Sequence, residues 1–368
     1  MRAGSGMFVV CSFLVKSAHF APSALGIRLV HRYSDNGASA MPEHRNPDQG
    51  TADPVFSTFA LPLRRTFFPL GYPLALETNS RDVMLAAEEG WGVSEQMFKH
   101  DPVRICLGVA PGSSESPAAA SVIRAREHLM SIVADADNFM QCDFERGFAF
   151  GWVTPDTAAD HAALRYQFLT PSGTALAQQR AFAPLHGALV MRQGAGVMLC
   201  GNSLAGKSTL AYACARAGWT YVTDDGTFLV RGRDDRYAIG DQHNIRFRPD
   251  APNLFPELKD RITTVRPNGK TAIEVRTREL DILTAPGCMV DHVVFLDREA
   301  GGSASVGGYP EDRALEYWAQ YAVLGSGAAR AAQRRCHELL LRARLWKMHY
   351  SHLDDAVCRL DRLVGQGA

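Results

Sequence analysis

One octapeptide, Gly201-Asn-Ser-Leu-Ala-Gly-Lys-Ser208, limits what this chain can fold into more than any other feature. It matches G-x-x-x-x-G-K-[ST], and its flanks are those such a loop requires. Val197–Cys200 is apolar and strand-like, Ser208–Ala217 is Ala-rich and helix-forming, and Gly218 stands where a helix C-cap belongs. Glycines let the backbone wrap a phosphate, so loop N–H groups and the helix N-terminus present positive potential to it. With Gly at about 9% and Lys at about 2% of residues, chance supplies on the order of 0.005 such matches in a chain of this length. The pattern predicts a nucleotide site at Gly201, Asn202, Ser203, Leu204, Ala205, Gly206, Lys207, Ser208 and Thr209. Its ligands would be ATP, with Lys207 on the β- and γ-phosphates, and Mg²⁺, with the Ser208 hydroxyl on the metal.

A second strand candidate, Trp219–Thr223, leaves that helix and ends in Asp224-Asp225. Running parallel to Val197–Cys200, it would set both carboxylates at the phosphate site, since ligands in α/β sheets lie at the carboxyl ends of strands. Two acids there divide holding Mg²⁺ from accepting a hydroxyl proton, although Asp-Asp-Gly is also ordinary turn chemistry. His186 falls in Leu185–Val190, read as one short strand that hairpins into Val197–Cys200, which places its imidazole at the same edge.

The rest of the chain is predicted to be mixed α/β. Residues 1–55 read as an extension, with Arg2 and the apolar run Met7–Val15 imitating a signal peptide and Met41 an alternative start. Residues 56–175 read as a smaller α+β region. It holds a strand at Pro73–Glu77, a helix at Asn79–Trp91, a strand at Val103–Val109 and a Pro/Ser/Gly loop at Pro111–Pro117. β-like runs follow at Phe139–Phe144, Gly147–Val153 and Ala163–Leu169. Residues 176–368 carry the phosphate loop, strands at Thr271–Val275, Val293–Leu296 and Leu345–Tyr350, and helices at Glu311–Val323, Ala328–Leu341 and Leu353–Val364. Val293–Asp297 imitates the acid-ended strand of many nucleotide sites and is assigned to the core. Asp354-Asp355 is assigned to a solvated helix face, and Tyr317, Trp318 and Tyr321 to the core.

Composition narrows the partners. Lys+Arg and Asp+Glu both number 39, so no global charge argues for nucleic acid or an anionic membrane. No stretch approaches the roughly 18–20 apolar residues of a membrane span. Eight cysteines scattered without a C-x-x-C pair exclude a zinc ribbon and read as reduced thiols of a cytoplasmic protein. Lys207 is one of only six lysines, which sets apart Lys270 as well.

His186-Gly-Ala-Leu-Val, the glycine turn, Gly201–Ser208 and Asp224-Asp225, in that order, resemble the catalytic core of the HPr kinase/phosphorylase family. The resemblance spans about residues 180–230. It implies a phosphate-loop fold shared with phosphoenolpyruvate carboxykinase and a kinase acting on a serine hydroxyl. It makes Asp224 the general base, His186 its orienting or pKa-tuning neighbour, Lys207 catalytic, and Ser208 with Asp225 the Mg²⁺ side. The family's second signature, ending Gly-Arg-Asn-Leu-Ala, is missing; Arg246-Phe-Arg-Pro and Arg266–Lys270 stand in that region. That departure argues against the phosphorylase reaction and against HPr as acceptor. The chain looks more like divergent relatives that phosphorylate free serine or the terminal serine of a lasso peptide. Arg246, Arg248 and Lys270 are candidates for substrate or phosphate contacts. The acceptor pocket is expected from residues 67–170 and 240–285, and a homo-oligomer stays open. Two alternatives stay open: an ATP-binding regulatory switch, and a plain ATPase in which Asp224 activates water.

Overall fold

The computed structural model describes residues 60–112, 120–265, 271–298, 301, 303–321 and 327–365. Residues 1–55, Lys270 and most of Pro111–Pro117 lie outside them. The first seven strands are β1 (Leu63–Phe67), β2 (Leu74–Thr78), β3 (Val103–Val109), β4 (Val122–Arg126), β5 (Leu129–Val133), β6 (Phe139–Asp143) and β7 (Phe148–Val153). They form one sheet in the order β1-β2-β3-β7-β6-β5-β4, parallel only at β2/β3 and β3/β7. Helix α1 (Arg81–Trp91) is the β2–β3 crossover and buries Val83, Ala86, Ala87 and Trp91 on one face.

Ala163–Leu169, a strand by its apolar pattern, is helical. After α2 (Pro155–Ala159) come α3 (His161–Leu164), a π-helical turn (Arg165–Leu169) and α4 (Thr170–Ala181). The Asp160 carboxylate accepts from the Ala163 amide and starts α3, and Leu164 and Phe168 are buried one turn apart. Short apolar runs do not distinguish strand from buried helix, and here the cap decides. Helix α4 crosses from the first sheet into the second, and residues of both share one core, Leu107 and Leu176 with Phe182 and Phe228.

The second sheet begins with β8 (Phe182–His186), β9 (Ala188–Arg192) and β10 (Ala195–Cys200). Then follow α5 (Lys207–Arg216), β11 (Thr220–Thr223), β12 (Gly226–Val230) and β13 (Tyr237–Gly240). The strands β14 (Asn244–Phe247), β15 (Thr263–Val265) and β16 (Thr271–Arg276) make a separate three-stranded sheet, β14-β16-β15. The chain returns through β17 (Leu283–Thr284), β18 (Gly287–Arg298), β19 (Ser305–Gly308), α6 (Glu311–Ala319), α7 (Gly327–Leu340), β20 (Arg344–Tyr350) and α8 (Leu353–Gly365).

Strand β10 is the axis. It pairs antiparallel with β9 and parallel with β18, and Val197, Met198, Leu199 and Cys200 are all fully buried. Alternate residues face different cores. Val197 and Leu199 meet α5 and α8, while Met198 and Cys200 meet α6 and α7. Helices therefore cover both faces, which is why this strand is apolar without interruption. Strand β18 joins two halves: Gly287–Met289 pair with β13 and Val290–Phe295 with β10. The sheet folds back at that point, so β11 in one half and β12 in the other can be joined by Asp224 and Asp225 alone, a span of about 10 Å at most.

Leu185–Val190 is not one strand. Gly187 divides it, donating its amide to the Asp225 carbonyl (3.0 Å) and accepting at its own carbonyl from the Thr227 hydroxyl (2.9 Å). A Cβ there would come 3.0 Å from the Leu199 carbonyl oxygen. His186 thus ends β8, beside Gly226 of β12, and only β9 hairpins into β10. Strand β11 runs in the direction of β10 with β9 between them. Among the described residues no cysteine is in a disulfide and no helix is long and apolar enough to cross a membrane.

Candidate functional site

The loop between β10 and α5 has the backbone a phosphate cradle needs. Gly201 and Gly206 hold φ of +150° and +90°, and the exposed Leu204 holds +76°. No side chain caps α5, leaving its first-turn N–H groups directed out of the helix. Lys207 is 7% exposed, and its ammonium donates to the carbonyls of Gly201 (2.8 Å) and Asn202 (3.2 Å) rather than to a carboxylate. Burial pulls its pKa down, while Asp225, Cys200 and Asp224 act the other way. A buried cation on two neutral carbonyls is one a phosphate can recruit, so these residues fit a nucleotide.

Two tyrosines brace the loop, and nothing in the local sequence announces them. The Tyr317 hydroxyl of α6 accepts from the Gly201 amide (3.0 Å). It shares its proton between the carbonyls of Gly201 (2.9 Å) and His186 (3.0 Å). The Tyr350 hydroxyl of β20 donates to the Ala205 carbonyl (2.8 Å). Tyr317, expected in the core, and Tyr350, expected only to end a strand, thus reach the site with their polar ends, as buried tyrosines do. A Cβ on Gly206 would lie 2.2 Å from the Tyr350 oxygen, in a left-handed backbone. Gly206→Ala is therefore expected to weaken nucleotide binding at least about tenfold in an equilibrium titration. Unchanged affinity would show that the loop adapts.

The acids meet the loop from the other side. Ser208 of α5 donates its hydroxyl to the Asp224 carbonyl at 3.3 Å. The Asp224 side chain, 5% exposed, takes the Arg246 amide on one oxygen (3.3 Å) and faces the Tyr221 hydroxyl with the other (3.2 Å). Burial, then the Asp225 charge, push its pKa up to about 7. Asp225 differs. Burial would raise it too, but the hydrogen bond and charge of His186, then Arg246 and Lys207, hold it below the usual carboxylate range. Adjacent carboxylates pushed apart in this way can take separate roles.

His186 lies against Asp225, with Nδ1 3.1 Å from Oδ1, not against Asp224 as the resemblance implied. The neighbours of Asp224 are Tyr221 and Arg246. The Arg246 guanidinium pairs with Glu274 at 3.1 Å. Arg248 is not brought to the site: it is exposed beside Asp250, and Lys270 lies outside the described residues. Asp297, at the end of β18, pairs with Lys347 (2.9 Å) and His349 (3.4 Å).

Asp224 and Asp225 also border a cavity of about 550 Å³. Its near wall includes Arg246, Glu274 and Arg276, and its far wall includes Glu89, Trp91, Ala162 and Arg165. Both stretches expected to supply an acceptor pocket contribute to it.

No family model matches the chain, and no curated protein matches it. Among solved structures, the Hpr(Ser) kinase/phosphatase from Coxiella burnetii is 13% identical, aligned over 50% of this chain and 98% of its own, with a TM-score of 0.26.

Proposed function

We propose that this protein is an ATP- and Mg²⁺-dependent phosphotransferase acting on a serine-type hydroxyl. The observation that carries the reading is the position of Asp224-Asp225, touched by the phosphate loop on one side and bordering a cavity on the other. The acceptor hydroxyl oxygen attacks the γ-phosphorus and forms the new O–P bond. The bond from that phosphorus to the β–γ bridging oxygen breaks, and ADP leaves with the electron pair. Asp224 takes the hydroxyl proton, a task suited to a carboxylate poised near neutrality. Lys207, the loop amides and the α5 N-terminus hold the charge on the transferring group. Ser208 and Asp225 are the groups that would hold Mg²⁺, which when bound neutralises phosphate charge. His186 keeps Asp225 ionised and oriented for that role.

Labelled ATP offered with Mg²⁺ and a panel of free serine, serine-ended peptides and small proteins tests the reading. Labelled acceptor supports it. ATP binding with neither label nor hydrolysis supports a nucleotide-gated switch, and phosphate release independent of acceptor supports an ATPase. The pH profile has a fixed sign. A base must be deprotonated, so the rate falls as Asp224 takes up its proton. We expect kcat/KM to decline below about pH 7. A rate flat from about pH 5.5 to 8.5 would remove Asp224 from the proton transfer.

A further inference from the structure

The two faces of the first sheet differ. On one, Leu76, Ile105 and Met140 pack with Val83 and Trp91 of α1 and Leu176 of α4. The other carries Leu129 and Val133 of β5, Phe139 of β6, and Phe148, Phe150 and Trp152 of β7. None of these six belongs to the cores formed by the described residues. Leu129 and Val133 are exposed, and the four aromatics are half-buried. Cys106, the partner of Phe150 in register, is fully buried on this side although the described helices pack on the other.

The aromatics form a continuous band. Val133, Phe139, Trp152 and Gly108 are successive partners in register across β5, β6, β7 and β3. The Trp152 indole lies over Gly108, where a Cβ would come 3.1 Å from its Nε1. The Phe139 and Phe150 rings stand 5.9 and 6.3 Å from Trp152, and Phe148 stands 6.0 Å from Phe150. Strand β7, Phe-Ala-Phe-Gly-Trp-Val, has no polar side chain on either face. In β10 the same lack of interruption has a cause, since helices cover both sides. A strand apolar on both faces needs a layer on each, and the described residues supply β7 with one.

We propose that the second layer is the chain's own apolar run, Met7–Val15, docked on the band formed by Phe139, Phe148, Phe150 and Trp152. The run lies outside the described residues and is apolar but for Ser12. Its Phe8, Val9, Val10, Phe13 and Val15 are side chains that suit a pleated surface. The chain enters this sheet at β1, an edge strand, so the residues before it start from the sheet's rim. Residues 16–59, extended, reach roughly 145 Å at about 3.3 Å each, against a sheet roughly 30 Å wide. The run itself, extended, also reaches roughly 30 Å. It carries no charge, so it adds none to the exposed Arg124 and Arg126 of β4, which have no carboxylate partner among the described residues. A second copy on this face would bring a second pair of them. The docking is independent of any chemistry at Asp224.

The test uses the full chain with p-benzoylphenylalanine in place of Phe13. On irradiation, cross-links mapped by mass spectrometry should fall on β3, β5, β6 or β7 of the same chain. Removing residues 1–15 should lower the melting temperature by at least about 5 °C and raise binding of an apolar-surface dye at least about threefold. Trp152→Gln should lower the melting temperature of the full chain and leave that of the shortened chain unchanged or higher, the mark of coupling between the two segments. If the shortened chain does not fold, the cross-link map alone decides. No cross-link to those four strands would overturn the docking. Cross-links between chains, with a dimer mass in solution, would give the face to a second copy and overturn it too. So would cosedimentation with phosphatidylserine vesicles that Phe13→Asp abolishes, with no cross-link to the sheet, since the run would then be a membrane contact.

Discussion

Asp224→Asn is expected to lower kcat for transfer about 10²–10⁴-fold while ATP still binds within about twofold of wild type, and to raise the melting temperature at pH 8. The catalytic half follows from removing the proton acceptor and leaving the loop intact. The stability half comes from linkage. The Asp224 carboxyl titrates at about 7 in the folded protein against 3.8 for an ordinary aspartate, so the stability it contributes is fully present below about pH 4 and lost as pH rises through about 7. At pH 8 the folded protein carries a buried charge it disfavours, and each tenfold change in proton affinity is worth about 1.4 kcal/mol. Asn keeps the shape without the charge. Its side-chain oxygen can still accept from the Arg246 amide. Its NH₂ can donate to Tyr221, whose own proton then goes wholly to the Asn244 carbonyl. The gain should therefore shrink as pH falls toward 5. A variant less stable than wild type at every pH would mean that the carboxylate holds this crossover together rather than straining it, the reverse of the sacrifice of stability that active sites commonly make.

The parts of this site legible in the sequence are those set by local chemistry. Gly201–Ser208 is a loop because glycines reach positive φ and an Ala-rich helix follows. Asp224-Asp225 ends a strand because a short apolar run precedes it. What stays hidden depends on the sheet folding back. By pattern His186 belongs to the hairpin strand, because Leu185–Val190 is mostly apolar. Only the contacts of Gly187 with Asp225 and Thr227 divide that run and deliver the imidazole to Asp225. Tyr317 and Tyr350 carry the spacing of core residues and are mostly buried; their hydroxyls matter because α6 and β20 end beside the loop. Arg276 is one arginine among many until β16 places it against α1. Ala163–Leu169 misleads for a local reason, since a largely apolar septet fits either period and the signal that decides it is the Asp160 cap just upstream.

Lys207→Met is expected to cut kcat/KM for ATP by about 10³-fold or more and leave the protein as stable as wild type or more so. Methionine is chosen because it retains the length of the buried stem, which separates loss of charge from loss of volume. In the protein without nucleotide, the ammonium gains two carbonyl bonds and the attraction of Asp225 and Asp224. Against these stands its removal from water, the largest influence on its pKa. Desolvation of a cation hydrogen-bonded only to neutral groups exceeds what such bonds return, so its loss should not unfold the loop. The Gly201 carbonyl keeps Tyr317 as a donor, and Asn202 is exposed enough for water to replace the ammonium. In the proposed transfer the balance would reverse, because no other lysine among the described residues is buried here to meet the charge on a γ-phosphoryl group. Lys207→Arg should not rescue, since a planar fork cannot reproduce a point charge packed between the Gly201 and Asn202 carbonyls. ATP affinity by calorimetry and melting temperature, measured on the same preparations, decide the matter. A destabilised Lys207→Met that still binds and transfers would make Lys207 a structural bridge of the loop and move the phosphate-binding charge elsewhere.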